Sequence, residues 1–233
     1  MNEPTLSLVL PCYNEVGNLQ NLLNAYKQVI KRDDIEIIVV NNGSLDESGK
    51  LLEEIKHNYP FLKIVTIIKN EGYGNGIITG LKEARGKYIG WSHGDLQTPP
   101  EDVIRALEII EKNKLTNFLV KGKRYGRPPA NVFFTFGMSI FETLLFGKVL
   151  YDINAQPNIF PREFFKEWVD APLDFSLDLY CLHLAKSKHM NVIRFPVEFR
   201  QRGAGVSSWD IGWKSKWKFI KRTLAFSFKL RFS

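Results

Sequence analysis

The chain has 233 residues, 44% of them hydrophobic and 24% charged, a balance that fits one folded domain with a sizeable core and excludes a disordered or fibrous chain. A formal charge of +7 favours anionic partners: phosphorylated substrates, nucleic acid or acidic lipid surfaces. Its two cysteines, Cys12 and Cys181, stand far apart with no CxxC spacing, which excludes a disulfide framework and a cysteine zinc site. The opening Met-Asn-Glu-Pro lacks the basic stretch and apolar run of a signal peptide, so a reducing, cytoplasmic setting is expected.

In chain order, residues 6–10 form a β-type run. Leu19, Leu22, Leu23, Tyr26, Val29 and Ile30 then recur at three- and four-residue spacing, which is one apolar helix face. Residues 36–40 form a second strand, and Leu51, Leu52 and Ile55 follow Ser48 at helical spacing. Residues 63–68 and 88–92 are the third and fourth strands. Pro99 and Pro100 are placed to start a helix carrying Val103, Ile104, Leu107 and Ile110, and a fifth strand follows at 118–122. This alternation predicts βαβ units and a mainly parallel sheet. Beyond it, 132–146 reads as an apolar helix, 176–188 as another, 192–199 as a strand, and 209–233 as a final segment. The stretch 132–150 contains Glu142 and Lys148 and is not expected to span a membrane.

Polar clusters follow the first four strands: Pro11-Cys12-Tyr13-Asn14-Glu15, Asn41-Asn42-Gly43-Ser44-Leu45-Asp46, Asn70-Glu71-Gly72-Tyr73-Gly74, and His93-Gly94-Asp95-Leu96-Gln97. Any one alone reads as turn chemistry. Four in register mark the ligand crevice that parallel sheets carry at their carboxyl ends.

The stretches LPCYNE at 10–15, VVNNGSLD at 39–46, KNEGYGNG at 69–76, GDLQTPPED at 94–102, VKGKRY at 120–125, DINAQPNIF at 152–160 and RQRGAGVSS at 200–208 together resemble the inverting glycosyltransferases of family 2. Within that family they look most like the dolichyl-phosphate mannose synthase and polyprenyl-phosphate glycosyltransferase branch. The resemblance implies an α/β fold of the GT-A type, a Rossmann-like domain over 1–208 with a mainly parallel central sheet flanked by helices. A basic, Trp-rich amphipathic helix over 209–233 follows, either part of the same domain or facing a membrane. It also implies transfer of a sugar, with inversion, from a nucleotide-sugar donor to a polyprenyl phosphate or lipid-linked glycan. A divalent ion, Mg2+ or Mn2+, would assist.

By that resemblance Asp95 matches the second aspartate of the family's Asp-x-Asp motif and is expected to hold the ion on the donor diphosphate, with Gln97 assisting. His93 replaces the first aspartate, as a third ligand or as a turn residue. Asp178 matches an acidic position that acts as general base on hydroxyl acceptors and only positions the site when the acceptor is a phosphate. Asp174, four residues before it, is expected on the same helix face. Pro11, Tyr13 and Glu15 match base and ribose contacts, Asn42 stands where relatives carry an aspartate near the nucleobase, and Asn70 and Gly74 match the third donor loop. Arg124 and Arg202 are expected on the acceptor phosphate. A nucleotidyltransferase would carry a Gly-rich loop after the first strand, and LPCYNE is not one. The alternative is a non-catalytic nucleotide-sugar or lipid-binding member of the same fold, favoured by Asn41, Asn42 and His93.

In 209–233, Trp209, Trp213, Trp217, Ile220, Leu224 and Phe228 share one side of a helix, and Lys214, Lys218, Lys221 and Arg222 the other, with Ser208 as cap and Asp210 in the first turn. Tryptophan with lysine suits a helix lying on an anionic membrane surface; the alternative is a stripe docked on the core. Residues 132–146 read as a second interfacial helix. The expected location is peripheral, on the cytoplasmic face of a membrane, and no nucleic-acid partner is expected.

Overall fold

In the computed structural model, which describes residues 3–200 and 213–232, strands and helices first alternate as expected. β1 (Leu6–Cys12), α1 (Val16–Val29), β2 (Ile35–Asn42), α2 (Ser48–Ile55), β3 (Leu62–Ile67), α3 (Tyr73–Glu83), β4 (Tyr88–Trp91), α4 (Glu101–Lys112) and β5 (Phe118–Tyr125) follow one another. Then come α5 (Pro129–Phe146), β6 (Asn158–Pro161), α6 (Arg162–Lys166), α7 (Leu177–Ser187), β7 (Asn191–Glu198) and α8 (Trp213–Phe232).

The sheet order is β3-β2-β1-β4-β6-β5-β7. All neighbours pair parallel except β6, which runs antiparallel to both β4 and β5. β6 is absent from the sequence reading: four residues ending in proline are too short to show a period, and its partners on both sides define it.

The strand period of two splits the interior into two cores. Leu6, Leu8, Leu10, Ile37 and Val39 pack with Leu19, Leu22, Leu23 and Tyr26 of α1 and with Val103, Leu107 and Ile110 of α4. Val9, Ile38 and Val40 face the other way, onto Ile77 and Leu81 of α3, in a core shared with α7. Burial on both faces explains the near-continuous apolar runs of β1 and β2. The chain winds outward from β1 through β2 to β3, then returns to place β4 on the other side of β1. The carboxyl ends of β1 and β4 therefore flank a topological switch point, where the crevice of such sheets lies.

Two sequence expectations need correction. Asp174 lies before α7 rather than on it: its Oδ1 accepts a hydrogen bond from the Ser176 backbone at 2.8 Å, and Oδ2 ion-pairs with Arg222 at 3.0 Å. The last helix docks on α5, and only partly by its expected stripe: the Phe228 ring meets Phe141 of α5 at 6.0 Å. Ser227 donates to Glu142 Oε1 at 2.7 Å, Arg231 Nε donates to the Leu145 carbonyl at 3.0 Å, and Thr223 is buried beside them. Trp217 and Phe228 of the stripe remain exposed. Ser208, Trp209 and Asp210 lie outside the described residues, as do the side chains of Trp213, Lys214 and Lys218.

α5 is inside out. Ser139 and Glu142 are buried, Glu142 completely, whereas Phe133 is 80% exposed, Leu144 78%, and Phe136 is exposed between them. Among the described residues no helix is long and apolar enough to cross a membrane.

Candidate active site

The loops after the first three strands are tied together by their own polar side chains. Asn14, at φ 55°, donates its backbone N–H to Ser44 Oγ at 3.0 Å and accepts from the Leu45 backbone at 2.8 Å. Ser48 Oγ accepts from the Glu15 backbone at 3.0 Å, and Glu15 Oε2 accepts from Asn18 Nδ2 at 2.6 Å. Asn42 Nδ2 donates to the Gly72 carbonyl at 2.9 Å, and the Gly72 N–H donates back to Asn70 Oδ1 at 2.9 Å. Glu15, Asn42 and Asn70 are thus framing residues. Asn42 still keeps a buried Oδ1 with no partner among the described residues, an acceptor left over from building the loop. Tyr13 is exposed, its ring free to stack. Gly74, in the first turn of α3, lies where the 172–174 backbone crosses it, with no room for a Cβ.

The fourth loop closes onto the first. A Cβ at Gly94 would stand 2.6 Å from the Pro11 carbonyl oxygen, so only glycine lets the loops after β1 and β4 meet. Asp95 follows, buried, its Oδ1 accepting from the Gln97 backbone at 3.1 Å. Leu96 between them sits at φ 63°, a conformation that costs a non-glycine residue and clusters at functional sites. Gln97 Nε2 reaches the Arg200 carbonyl at 3.4 Å, and the Arg200 N–H donates to the Gln97 carbonyl at 2.9 Å. Phe199, just beyond β7, meets both the His93 ring, at 5.7 Å, and the Arg124 guanidinium, at 5.4 Å. The fold therefore brings His93, Asp95, Gln97 and Arg124 to one place. Arg202 lies outside the described residues.

The His93 pKa is lowered, chiefly by burial and further by Arg124 and Lys121, against the opposing pull of Asp95. A neutral imidazole with a buried, unpartnered Nε2 results. An imidazole nitrogen in the same loop as a buried carboxylate is a donor set that fits a divalent cation. Among the described residues no group of three or more His, Cys, Asp or Glu gathers at one point. An ion here would draw its remaining ligands from Gln97 and from a bound diphosphate.

Behind this face lies a polar network that joins Asp178 and Arg124 to Lys121, Asp152, Gln156 and Asn158, four residues to which the sequence assigned no role. Lys121 is completely buried and donates to the Ala155 carbonyl and to Asn158 Oδ1, each at 2.6 Å, with Asp178 Oδ1 3.9 Å away. Asp178 accepts from Asn158 Nδ2 at 3.1 Å and is hydrogen-bonded to Tyr73, whose hydroxyl meets Gln156 Nε2 at 2.5 Å. Burial pushes the Asp178 carboxyl up and brings the Lys121 ammonium down to about 8. Asp152, at φ 43°, accepts two hydrogen bonds from the Arg124 side chain and one from its backbone. Lys121 and Asp152 belong to the stretches VKGKRY and DINAQPNIF, but a pairing such as Arg124–Asp152, 28 residues apart, leaves no periodic signal.

A family model described as Glycosyl transferase family 2 matches residues 7–162. An undecaprenyl-phosphate 4-deoxy-4-formamido-L-arabinose transferase of Pseudomonas fluorescens (strain Pf0-1) is 36% identical over 125 residues, 51% of this chain and 36% of that protein. A dolichol-phosphate mannosyltransferase of Pyrococcus furiosus is 31% identical over 120 residues, 52% of this chain and 33% of that protein. The chain thus spans about a third of the length of these curated relatives. Among solved structures, glucosyl-3-phosphoglycerate synthase from Mycobacterium tuberculosis, in complex with Mn2+, UDP and glucosyl-3-phosphoglycerate, superposes with a TM-score of 0.73 at 15% identity, covering 98% of this chain and 80% of that one. S. aureus TarS 1-349 in complex with UDP-GlcNAc follows with a TM-score of 0.59 at 18% identity, covering 88% and 63%. These likenesses bear out the α/β architecture of the GT-A type.

Proposed function

The chain belongs to glycosyltransferase family 2, and on that premise we propose that it transfers a sugar, with inversion, from a nucleotide-sugar donor to a polyprenyl phosphate. The observation that carries this reading is the meeting of Asp95, Gln97 and the unpartnered His93 Nε2 at the switch point of the sheet. Two relatives named for undecaprenyl and dolichol phosphate support the acceptor class.

The donor lies with its base near the exposed Tyr13 and the free Oδ1 of Asn42, and its diphosphate toward Asp95. Asp95, Gln97 and His93 would hold a divalent cation, Mg2+ or Mn2+, which when bound neutralises charge on the diphosphate. In the reaction an acceptor oxygen bonds to the anomeric carbon from the face opposite the diphosphate. The bond to the diphosphate oxygen breaks, and its electron pair leaves with the nucleotide. Asp178 favours a phosphate acceptor over a hydroxyl. It is buried, hydrogen-bonded by Asn158 and Tyr73, and faced by Lys121, surroundings that suit a positioning role. A phosphate anion needs no base, and Asp178 then serves to hold the floor of the site.

The location proposed is the cytoplasmic surface of a membrane that carries the acceptor. The outward Phe133, Phe136 and Leu144 of α5 support it, because an apolar stripe facing away from the protein suits an apolar surrounding. The test of the chemistry is Asp95→Ala, assayed with a panel of UDP- and GDP-sugars and undecaprenyl phosphate in mixed micelles. Transfer is expected to fall about a thousandfold, with circular dichroism and melting unchanged. Wild-type turnover in this variant would remove Asp95 from the mechanism.

A further inference from the structure

A side chain of α8 reaches toward the donor loops. Arg222 Nε stands 3.0 Å from Asp174 Oδ2, a charge contact rather than an aligned hydrogen bond. Its guanidinium also lies 5.6 Å from the centre of the Phe175 ring, within range of a cation–π attraction. Phe175 in turn stacks on Tyr73, the first residue of α3, with ring centroids 4.6 Å apart and planes 12° from parallel. The Tyr73 hydroxyl is held from the other end by Gln156 Nε2 and Asp178.

The backbone makes the same connection. α6 ends at Lys166 and α7 begins at Leu177, and no helix or strand lies between them. Within that segment the Leu173 carbonyl accepts from the Asn75 N–H of α3 at 2.9 Å. Gly72 and Gly74 have no room for a Cβ against the carbonyl oxygens of Leu173 and Pro172, so the segment lies directly on the loop that enters α3. The Gly72 carbonyl receives Asn42 Nδ2 at 2.9 Å, and Asn42 carries the unpartnered Oδ1 that the function proposed above turns toward the base. The place of that acceptor thus depends on a segment without regular structure, and Arg222 holds two residues of the segment, Asp174 and Phe175.

We propose that Arg222 is a positioning residue for the donor site: by holding Asp174 and Phe175 against the entry of α3, the docked α8 sets the affinity for the nucleotide. The inference rests on the donor reading given above. Both partners of the ion pair are partly exposed, and such a pair adds little to global stability, so its effect is local. Linkage makes the coupling reciprocal: a nucleotide that binds better when the segment is held must also tighten α8.

Calorimetric titration with UDP and with GDP, each with Mn2+, tests this on wild type, Arg222→Met, Arg222→Lys, Asp174→Asn and the Arg222→Met/Asp174→Asn double variant. Arg222→Met should raise the Kd of the nucleotide that wild type binds about fivefold or more. Arg222→Lys should raise it by less, and the double variant no further than Arg222→Met alone. Amide hydrogen exchange supplies a readout that a plain brace would not move. Nucleotide should slow exchange over residues 219–226 in wild type and leave it unchanged in Arg222→Met. Equal Kd in all five proteins overturns the proposal, and so does a weaker Kd with no nucleotide-dependent exchange in α8; either result leaves the donor reading in place. A wild type that binds neither nucleotide overturns the donor reading and this inference with it.

Discussion

The donor half of the sheet and the α5–α8 layer obey opposite rules of hydropathy. In β1, β2 and α1 the apolar side chains are buried, and the polar residues gather where the strands end. In α5 the buried positions are Ser139 and Glu142, and the outward ones Phe133, Phe136 and Leu144. A helix on a water-facing surface buries its apolar stripe. One that turns such a stripe outward and seals a carboxylate beneath it against Ser227 leaves apolar surface uncovered by the described residues. On the function proposed above, the two layers would have different tasks: the first would hold a charged, water-soluble donor, and the second would meet the surroundings of an apolar acceptor.

The same substitution made in both regions would test the contrast most severely. A Cβ at Gly90, in β4, would stand 2.0 Å from the Asn158 carbonyl oxygen of β6, and backbone cannot yield as a side chain can. Gly90→Ala should cost about 3 kcal/mol by forcing those strands apart. Gly137, in α5, has nothing within 4 Å of a Cβ, so Gly137→Ala should stabilise by up to about 0.8 kcal/mol through helix propensity. Denaturant melts of the two variants give the comparison. Similar effects at both sites would mean that the α5 face is as tightly covered as the sheet.

What the sequence makes legible follows the same division. The first five strands read correctly because each is a short, mainly apolar run that ends in a polar loop. α4 reads correctly because Pro99 and Pro100 precede Val103, Leu107 and Ile110, which are buried. The crevice residues Asp95 and Gln97 are found because chemistry follows strand ends. Illegible were β6, whose bonds come from strands distant in sequence, and the Arg124–Asp152 and Lys121–Asp178 pairings, which join β5 to the loop before β6 and to α7. The orientation of α5 could not be read either: a periodic pattern shows that a helix has two faces, not which one is turned inward. The last helix illustrates this, docking through Thr223 and Ser227 as well as through Phe228 of the expected stripe, while Trp217 stays exposed.

The seam between α5 and α8 should respond to pH, a smaller effect than that at Gly90. Burial raises the Glu142 carboxyl to about 7, opposed by the Ser227 hydrogen bond, and Oε2 has no partner among the described residues. The folded pKa lies above the ordinary 4.5, so folding favours the protonated form. The stability it contributes is fully present below about pH 4.5 and is lost as pH rises through about 7. Allowing for solvent screening, wild type should lose about 1–2 kcal/mol between pH 5 and pH 8 relative to Glu142→Gln. Parallel melting curves for the two proteins across that range would show that the carboxylate is already solvated.

The smallest stability change should come with a large functional one. Replacing Phe133, Phe136 and Leu144 together by glutamine removes apolar area that touches little of the protein. Each change should therefore alter folding stability by no more than about 0.5 kcal/mol. If the stripe enters a bilayer, the same three side chains each contribute about 1.5–3 kcal/mol there, and the variant should no longer co-sediment with vesicles containing anionic lipid. Lys221 and Arg231 remain in α8 to supply a salt-sensitive attraction that cannot replace the lost burial. A variant that melts early yet sediments as before would place those rings against protein and reverse the reading of α5. A variant that melts normally and stays in the supernatant would separate what holds this fold together from what holds it to a surface.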